Sequence, residues 1–120
     1  MFNLSKPALF GAVGALVFAV GVGVFFLRPV NSVMDGVFTL EQAARGQDLY
    51  PFTCPRCHHA DLGGDGFETP SLASSEFTRR WDGRTVADLF LFVSQNMPAN
   101  NPGMFDDRAY IDLIAFILRF

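Results

Sequence analysis

Cys54-Pro55-Arg56-Cys57-His58 reads C-x-x-C-H, and it holds the only two cysteines in a chain of 120 residues. Two residues between the cysteines let one tight turn present both sulfurs along a single edge of a flat macrocycle, and the imidazole that follows folds beneath it. This spacing suits two thiolates adding to the two vinyl groups of one haem while His58 reaches the iron. Cys54 and Cys57 are therefore expected to carry one covalent haem c, with His58 as a ligand to its iron. Other chemistries of a close cysteine pair fit poorly. A zinc site needs a second pair of ligands, and the chain adds only His58 and the adjacent His59. A thioredoxin-like redox pair sits in a βαβ context, and no strand pattern surrounds the motif.

Upstream of the motif, Thr39 and Gln42 have the spacing of a reciprocal cap and predict a helix from Leu40 to Tyr50 that stops at Pro51. Downstream, Asp61 to Pro70 is rich in glycine and acids and reads as loop. Ser74 or Ser75 caps a short helix through Arg80, which the Asp82-Gly83 turn ends. Thr85, with Asp88 at the third helical position, opens a helix from Val86 to about Asn96 that breaks at Met97-Pro98. Asp106 caps a last helix, Asp107 to about Leu118, in which Tyr110, Leu113, Ile114, Ile117 and Leu118 recur at helical spacing as a buried face. No strand pattern competes, so the fold class is all-α.

Half of the chain is hydrophobic and it holds 14 Phe, which is high for a small soluble domain. Pro7 to Leu27 carries no charged side chain, and a helix of that length spans roughly 30 Å of hydrocarbon. A single N-terminal transmembrane helix is expected in preference to a cleaved signal peptide, because the run is long and no small-x-small site followed by polar residues closes it. The chain then divides into an anchor over residues 1–28, a linker over 29–37 and a small helical domain over 38–120. Gly11, Ala15, Ala19 and Gly23 place small side chains along one stripe of the anchor, the pattern of a helix packed closely against another. Beyond the anchor lie seven Arg, no Lys and twelve acids, a charge of about minus five. That balance argues against nucleic acid as a partner. A domain of this size has a core of marginal stability, so a staple such as a covalent cofactor is expected.

The stretches after the motif make a likeness specific: Pro70-Ser71-Leu72, Trp81-Asp82-Gly83, Met97-Pro98, Pro102-Gly103 and Leu113-Ile114-Ala115-Phe116. In this order they resemble a class I cytochrome c, and the second half is similar to the small monohaem domains of periplasmic dehydrogenases and oxidases. The likeness covers about residues 38–120 and leaves the anchor out. It implies that the Pro70 carbonyl accepts a hydrogen bond from Nδ1 of His58, fixing the tautomer that presents Nε2 to iron. It implies that Gly46 lets the last helix approach closely at Phe116, with Tyr50 and Leu113 beside the crossing. It also implies that Trp81, with Arg79, Arg80 or Arg84, meets the haem propionates. His59 departs from the pattern, which has Gly after the motif. It is read as an exposed polar side chain, because adjacent residues cannot both point at one iron from the same side.

A thioether is the usual partner of His in an electron-transfer cytochrome. Met97 ends a helix and precedes Pro98, which holds it extended and suits it to carry sulfur onto iron. Met104 follows the Pro102-Gly103 turn, at a position that varies in the resembling family. The expected metal ligands are therefore His58 and Met97, and the expected cofactor-binding residues are Cys54, Cys57, His58, Met97, Pro70 and Trp81.

With both axial positions filled, the likeness implies an electron carrier in place of an enzyme, with no small-molecule substrate. The partners expected are the membrane and redox proteins, within a larger respiratory or photosynthetic membrane complex. The haem domain is expected in the periplasm of a bacterium, tethered to its inner membrane. Two other functions compete: a haem peroxidase or gas sensor with a displaceable Met, and a structural subunit of a membrane complex. No distal His or Arg is placed for peroxide chemistry and no sensor output domain accompanies the motif, so electron transfer is favoured.

Overall fold

The computed structural model describes residues 32–120. The span expected over Pro7–Leu27 lies outside them, and among the described residues no helix is long and apolar enough to cross a membrane. The described residues hold five α-helices in chain order: α1 (Leu40–Leu49), α2 (Pro55–His58), α3 (Ser75–Trp81), α4 (Val86–Asn96) and α5 (Asp107–Leu118). Among the described residues the one strand-type contact is an isolated bridge between Ser32 and Thr85.

The longer helices begin where a side chain takes up amide hydrogens that the first turn leaves unpaired. At α1 the Gln42 N–H donates to Thr39 Oγ1 at 3.2 Å and the Thr39 N–H donates to Gln42 Oε1 at 2.8 Å. Thr85 and Asp88 repeat this reciprocal cap at α4, while Ser74 and Asp106 accept from Phe77 and Ala109 at α3 and α5. The end of α1 differs from expectation. The α-helix closes at Leu49, and Tyr50–Phe52 continues as a 3-10 turn that contains Pro51. Pro51 sits in the first turn of this new segment, where a missing N–H leaves no bond unmade, so the chain tightens instead of stopping.

The α1–α5 crossing organises the domain. Gly46 is buried against α5, and a Cβ built there would lie 2.9 Å from the Phe116 Cβ and overlap the Asp112 backbone. Only a residue without a side chain permits so close an approach of two helices. Beside the crossing the Tyr50 and Phe116 rings pack with centroids 5.2 Å apart. On the other flank Arg45 grips Asp112 with two parallel bonds, Nε to Oδ2 at 2.6 Å and Nη2 to Oδ1 at 2.7 Å. The Asp112 side chain is only 4% exposed, so this planar fork is what makes its burial tolerable. The expected apolar face of α5 contained no acid; the buried surface instead runs from Tyr110 round through Asp112 to Ile117.

That width has a cause: α5 is covered on two sides. Leu113, Phe116 and Ile117 face a cluster with Tyr50 and Leu62, whereas Ile114 faces a second cluster with Val33, Trp81 and Leu89. Phe77 packs against both. Each large apolar side chain so enclosed contributes roughly 1.5–3 kcal/mol. Val33 belongs to the stretch expected as linker. Here Ser32 and Asp35 cap a short 3-10 turn, Val33–Asp35, and Val33 is 2% exposed with its N–H donating to the Arg84 carbonyl at 3.0 Å. Packing against α4 and α5 therefore reaches back at least to Ser32.

Gly46→Ala is expected to force the two helices apart and destabilise the haem-bearing domain by about 3 kcal/mol or more. Equilibrium denaturation of the two holo-proteins, followed by far-ultraviolet circular dichroism, measures this; equal midpoints would mean that the crossing has slack.

Candidate functional site

Pro55 opens α2 at the position where its ring is pre-set for a helix, and Cys54 precedes it with helical backbone angles. The Cys57 and His58 N–H groups both donate to the Cys54 carbonyl, at 3.2 and 2.9 Å, winding the motif into one turn. Positions separated by three and four residues share a helical face, so Cys54, Cys57 and His58 project to one side. Cys54 packs at the edge of the Tyr50–Phe116 cluster and Cys57 is exposed.

His58 is 8% exposed, and its Nδ1 lies 2.9 Å from the Pro70 carbonyl oxygen. A carbonyl only accepts, so the proton sits on Nδ1 and Nε2 keeps its lone pair for a metal. The intervening loop is built to deliver that carbonyl. Gly64 donates from its N–H to the His58 carbonyl at 3.1 Å, and the Leu72 N–H donates to the Leu62 carbonyl at 2.8 Å. Gly64 has φ +63, and a Cβ there would stand 2.8 Å from the Pro70 oxygen, so any side chain would push the acceptor off His58. The Asp65 carboxylate accepts from the Thr69 and Phe67 N–H groups at 2.8 and 2.9 Å, closing the outer turn. Those amides, Thr69 first, hold its carboxyl below the usual carboxylate range.

Met97 follows α4 as its cap, extended at φ −124 and ψ 145 and half-buried. Its carbonyl accepts from the Tyr110 hydroxyl at 2.7 Å, which ties the α4–α5 loop to the last helix. Met104 is 49% exposed. Trp81 is buried in the second cluster with Val33, Leu89 and Ile114, its ring 5.5 Å from Phe92 and covered by the Arg84 guanidinium at 5.3 Å. The structure thus brings Pro70 to His58 and leaves Trp81 among core side chains. The open hollow lined by Asp48, Pro51, Pro55 and Phe120 includes none of Cys57, His58 or Met97.

Two supports escaped the sequence reading. Tyr110 was expected only as an apolar contact, although a buried phenol needs an acceptor, and that need is the signal that finds it. The Tyr50 hydroxyl donates to the His59 carbonyl at 2.8 Å, just past the motif. Burial raises this phenol to about 12, so it remains a neutral donor. His59 itself stands at φ 59 and ψ 165, a region that only glycine occupies without strain. Replacing it is therefore informative: His59→Gly should stabilise the holo-domain by about 1 kcal/mol, the relief of strain offset in part by a freer unfolded chain. Thermal melts read this, and a lower midpoint would show that the imidazole makes compensating contacts.

Among the described residues no group of three or more His, Cys, Asp and Glu side chains converges on an ion, so the two sulfurs and the imidazole do not enclose a simple metal centre. Two thiols and a buried, tautomer-fixed imidazole on one face, bordered by the apolar Leu62, Leu72 and Phe77, fit a covalently attached haem with His58 turned to its iron. Residues 41–117, from the first turn of α1 to the last turn of α5, match the family model described as cytochrome C oxidase, cbb3-type, subunit III. No curated protein and no solved structure shows significant similarity to the chain. The chain belongs to this family of c-type cytochrome domains, which hold haem c covalently and transfer electrons through it.

Proposed function

We propose that this protein is a membrane-tethered monohaem carrier whose iron is ligated by His58 and Met97 and which works inside a larger membrane redox complex. The observation that carries the ligation is the 2.9 Å contact from His58 Nδ1 to the Pro70 carbonyl, which leaves Nε2 as the free donor. Met97 is favoured for the second position because its backbone is held at both ends, by the helix through its N–H to the Val93 carbonyl and by Tyr110 at its own carbonyl. A loop so tied positions a thioether; Met104 lacks such ties and is half exposed.

The haem supplies a one-electron couple. His58 and Met97 would hold the iron between them and leave no site on it for a substrate, and the apolar Leu62, Leu72 and Phe77 near Cys54 would disfavour the extra charge of the ferric form. Tethering is supported by the uncharged run from Pro7 to Leu27, and a periplasmic position of the haem domain by the C-x-x-C-H motif, since haem is attached on the outer side of the membrane. Assembly with other subunits is supported by the oxidase-subunit description of the matched family and by the small-residue stripe Gly11, Ala15, Ala19 and Gly23. With no Lys beyond Lys6, the domain lacks the lysine-rich face by which freely diffusing carriers are steered, as suits a carrier held by its tether.

Met97→Ala should abolish the near-infrared charge-transfer band of Met-ligated ferric haem and lower the reduction potential, while Met104→Ala leaves both nearly unchanged. The reverse pattern would move the ligand to Met104. Topology has a separate test, in which protease added to intact spheroplasts removes the haem-staining domain from the membrane; a protected domain would place it on the inner side.

A further inference from the structure

Met97 is suspended between two helices. Its N–H donates to the Val93 carbonyl at 2.8 Å as the closing bond of α4, and its own carbonyl accepts from the Tyr110 hydroxyl of α5 at 2.7 Å. The chain then turns, with the Asn101 N–H donating to the Pro98 carbonyl at 2.9 Å. Carbonyls at a helix end lack partners within the helix and are often left to water. Here the partner is a phenol that is only 2% exposed. The Phe105 ring stands edge-on to it with centroids 5.5 Å apart, and Phe105 in turn packs against the cluster of Tyr50, Leu62 and Leu113. The donor is therefore fixed by the core, and the carbonyl it holds belongs to the residue read as the second iron ligand.

We propose that Tyr110 is a positioning residue that keeps Met97 on the haem iron, and that its hydroxyl is what closes the iron to outside ligands. The proposal rests on the Met97 ligation above. Met97 is half-buried, so opening the iron to another ligand takes movement of its backbone as well as rotation of its side chain, and that movement breaks the bond to Tyr110. A hydrogen bond made only with Met97 in place raises the closed population over the open one, and the apparent affinity for an outside ligand falls by the same factor. The competing function of such a domain, a peroxidase or gas sensor, needs a methionine that leaves. In this chain one buried phenol opposes that departure, from a helix 13 residues further on.

The test compares the full haem-loaded chain with Tyr110→Phe, which keeps the ring and removes only the hydroxyl. Imidazole, a small ligand that competes with a thioether for ferric iron, is titrated and followed by haem absorption. Tyr110→Phe should bind imidazole about tenfold more tightly, near the most that one hydrogen bond of ordinary net strength supplies, and show a weaker near-infrared charge-transfer band. Thr39→Ala, which removes the cap of α1, is the control for a softened domain; it should lower the melting midpoint and leave both readings at the parent values. Unchanged affinity and band in Tyr110→Phe overturn the proposal, as does an equal gain in Thr39→Ala. A reading on the parent covers the case of a variant that fails to take up haem: the Tyr110 hydroxyl proton of the ferrous protein should give a slowly exchanging NMR signal, and a hydroxyl in fast exchange with water overturns the proposal too. Met97→Ala judges the ligation separately. If it keeps the band, Met97 is not the ligand and the role of Tyr110 falls with it; if it loses the band while Tyr110→Phe matches the parent, the positioning role alone is wrong.

Discussion

Two helices far apart in the chain meet at Gly46, where the α1 backbone lies against the Asp112 backbone and the Phe116 side chain of α5. Everything else in the domain is arranged around that contact. Close approach brings Tyr50 over Phe116, and Tyr50 in turn reaches His59 through its hydroxyl, so the turn that carries the cysteines is tied to the crossing by one side chain. It also encloses Asp112, which Arg45 neutralises with a two-pronged hydrogen bond. An isolated carboxylate at such depth would be costly. The crossing thus imposes its own electrostatic requirement and meets it from within α1.

The site inherits its geometry from this frame at one remove. The 3-10 turn after α1 sets where α2 begins, and the loop returning over His58 is pinned to α2 by Gly64 and to its own base by Asp65. A carbonyl at 2.9 Å from a buried imidazole nitrogen is a strong device for holding a tautomer, and it works here because the loop has no freedom to withdraw. At the end of α4, Tyr110 holds the Met97 carbonyl. Both supports act through backbone carbonyls, which are present whatever the side chain.

Strain and docking lie at the two borders of this frame. His59 occupies backbone space that suits glycine, and its carbonyl is held there by Tyr50 and by the Leu62 N–H. The surrounding bonds are strong enough to impose that conformation on a residue with a Cβ. At the other border, Val33 completes the second cluster from a segment whose composition resembles a linker. A single buried valine with a backbone bond to Arg84 and a neighbouring bridge to Thr85 is enough to extend the packed domain back to Ser32.

Helix starts at Thr39, Thr85 and Asp106 were legible because a cap is made among residues three positions apart, and the C-x-x-C-H turn was legible for the same reason. The all-α class followed from periodicity, and the cofactor from spacing. The Pro70 contact and the Gly46 crossing were available only through likeness to a family, since nothing local announces them. Neither the Arg45–Asp112 pair, 67 residues apart, nor the Tyr110 bond to Met97 was foreseen. The same holds for the docking of Val33 and the core position of Trp81. The sequence by itself determined the elements and the chemistry of the haem-binding turn, because those depend on bonds within a few residues of chain. Only the tertiary structure decided which polar groups are buried and what satisfies them, because that depends on how closely α1 and α5 pack.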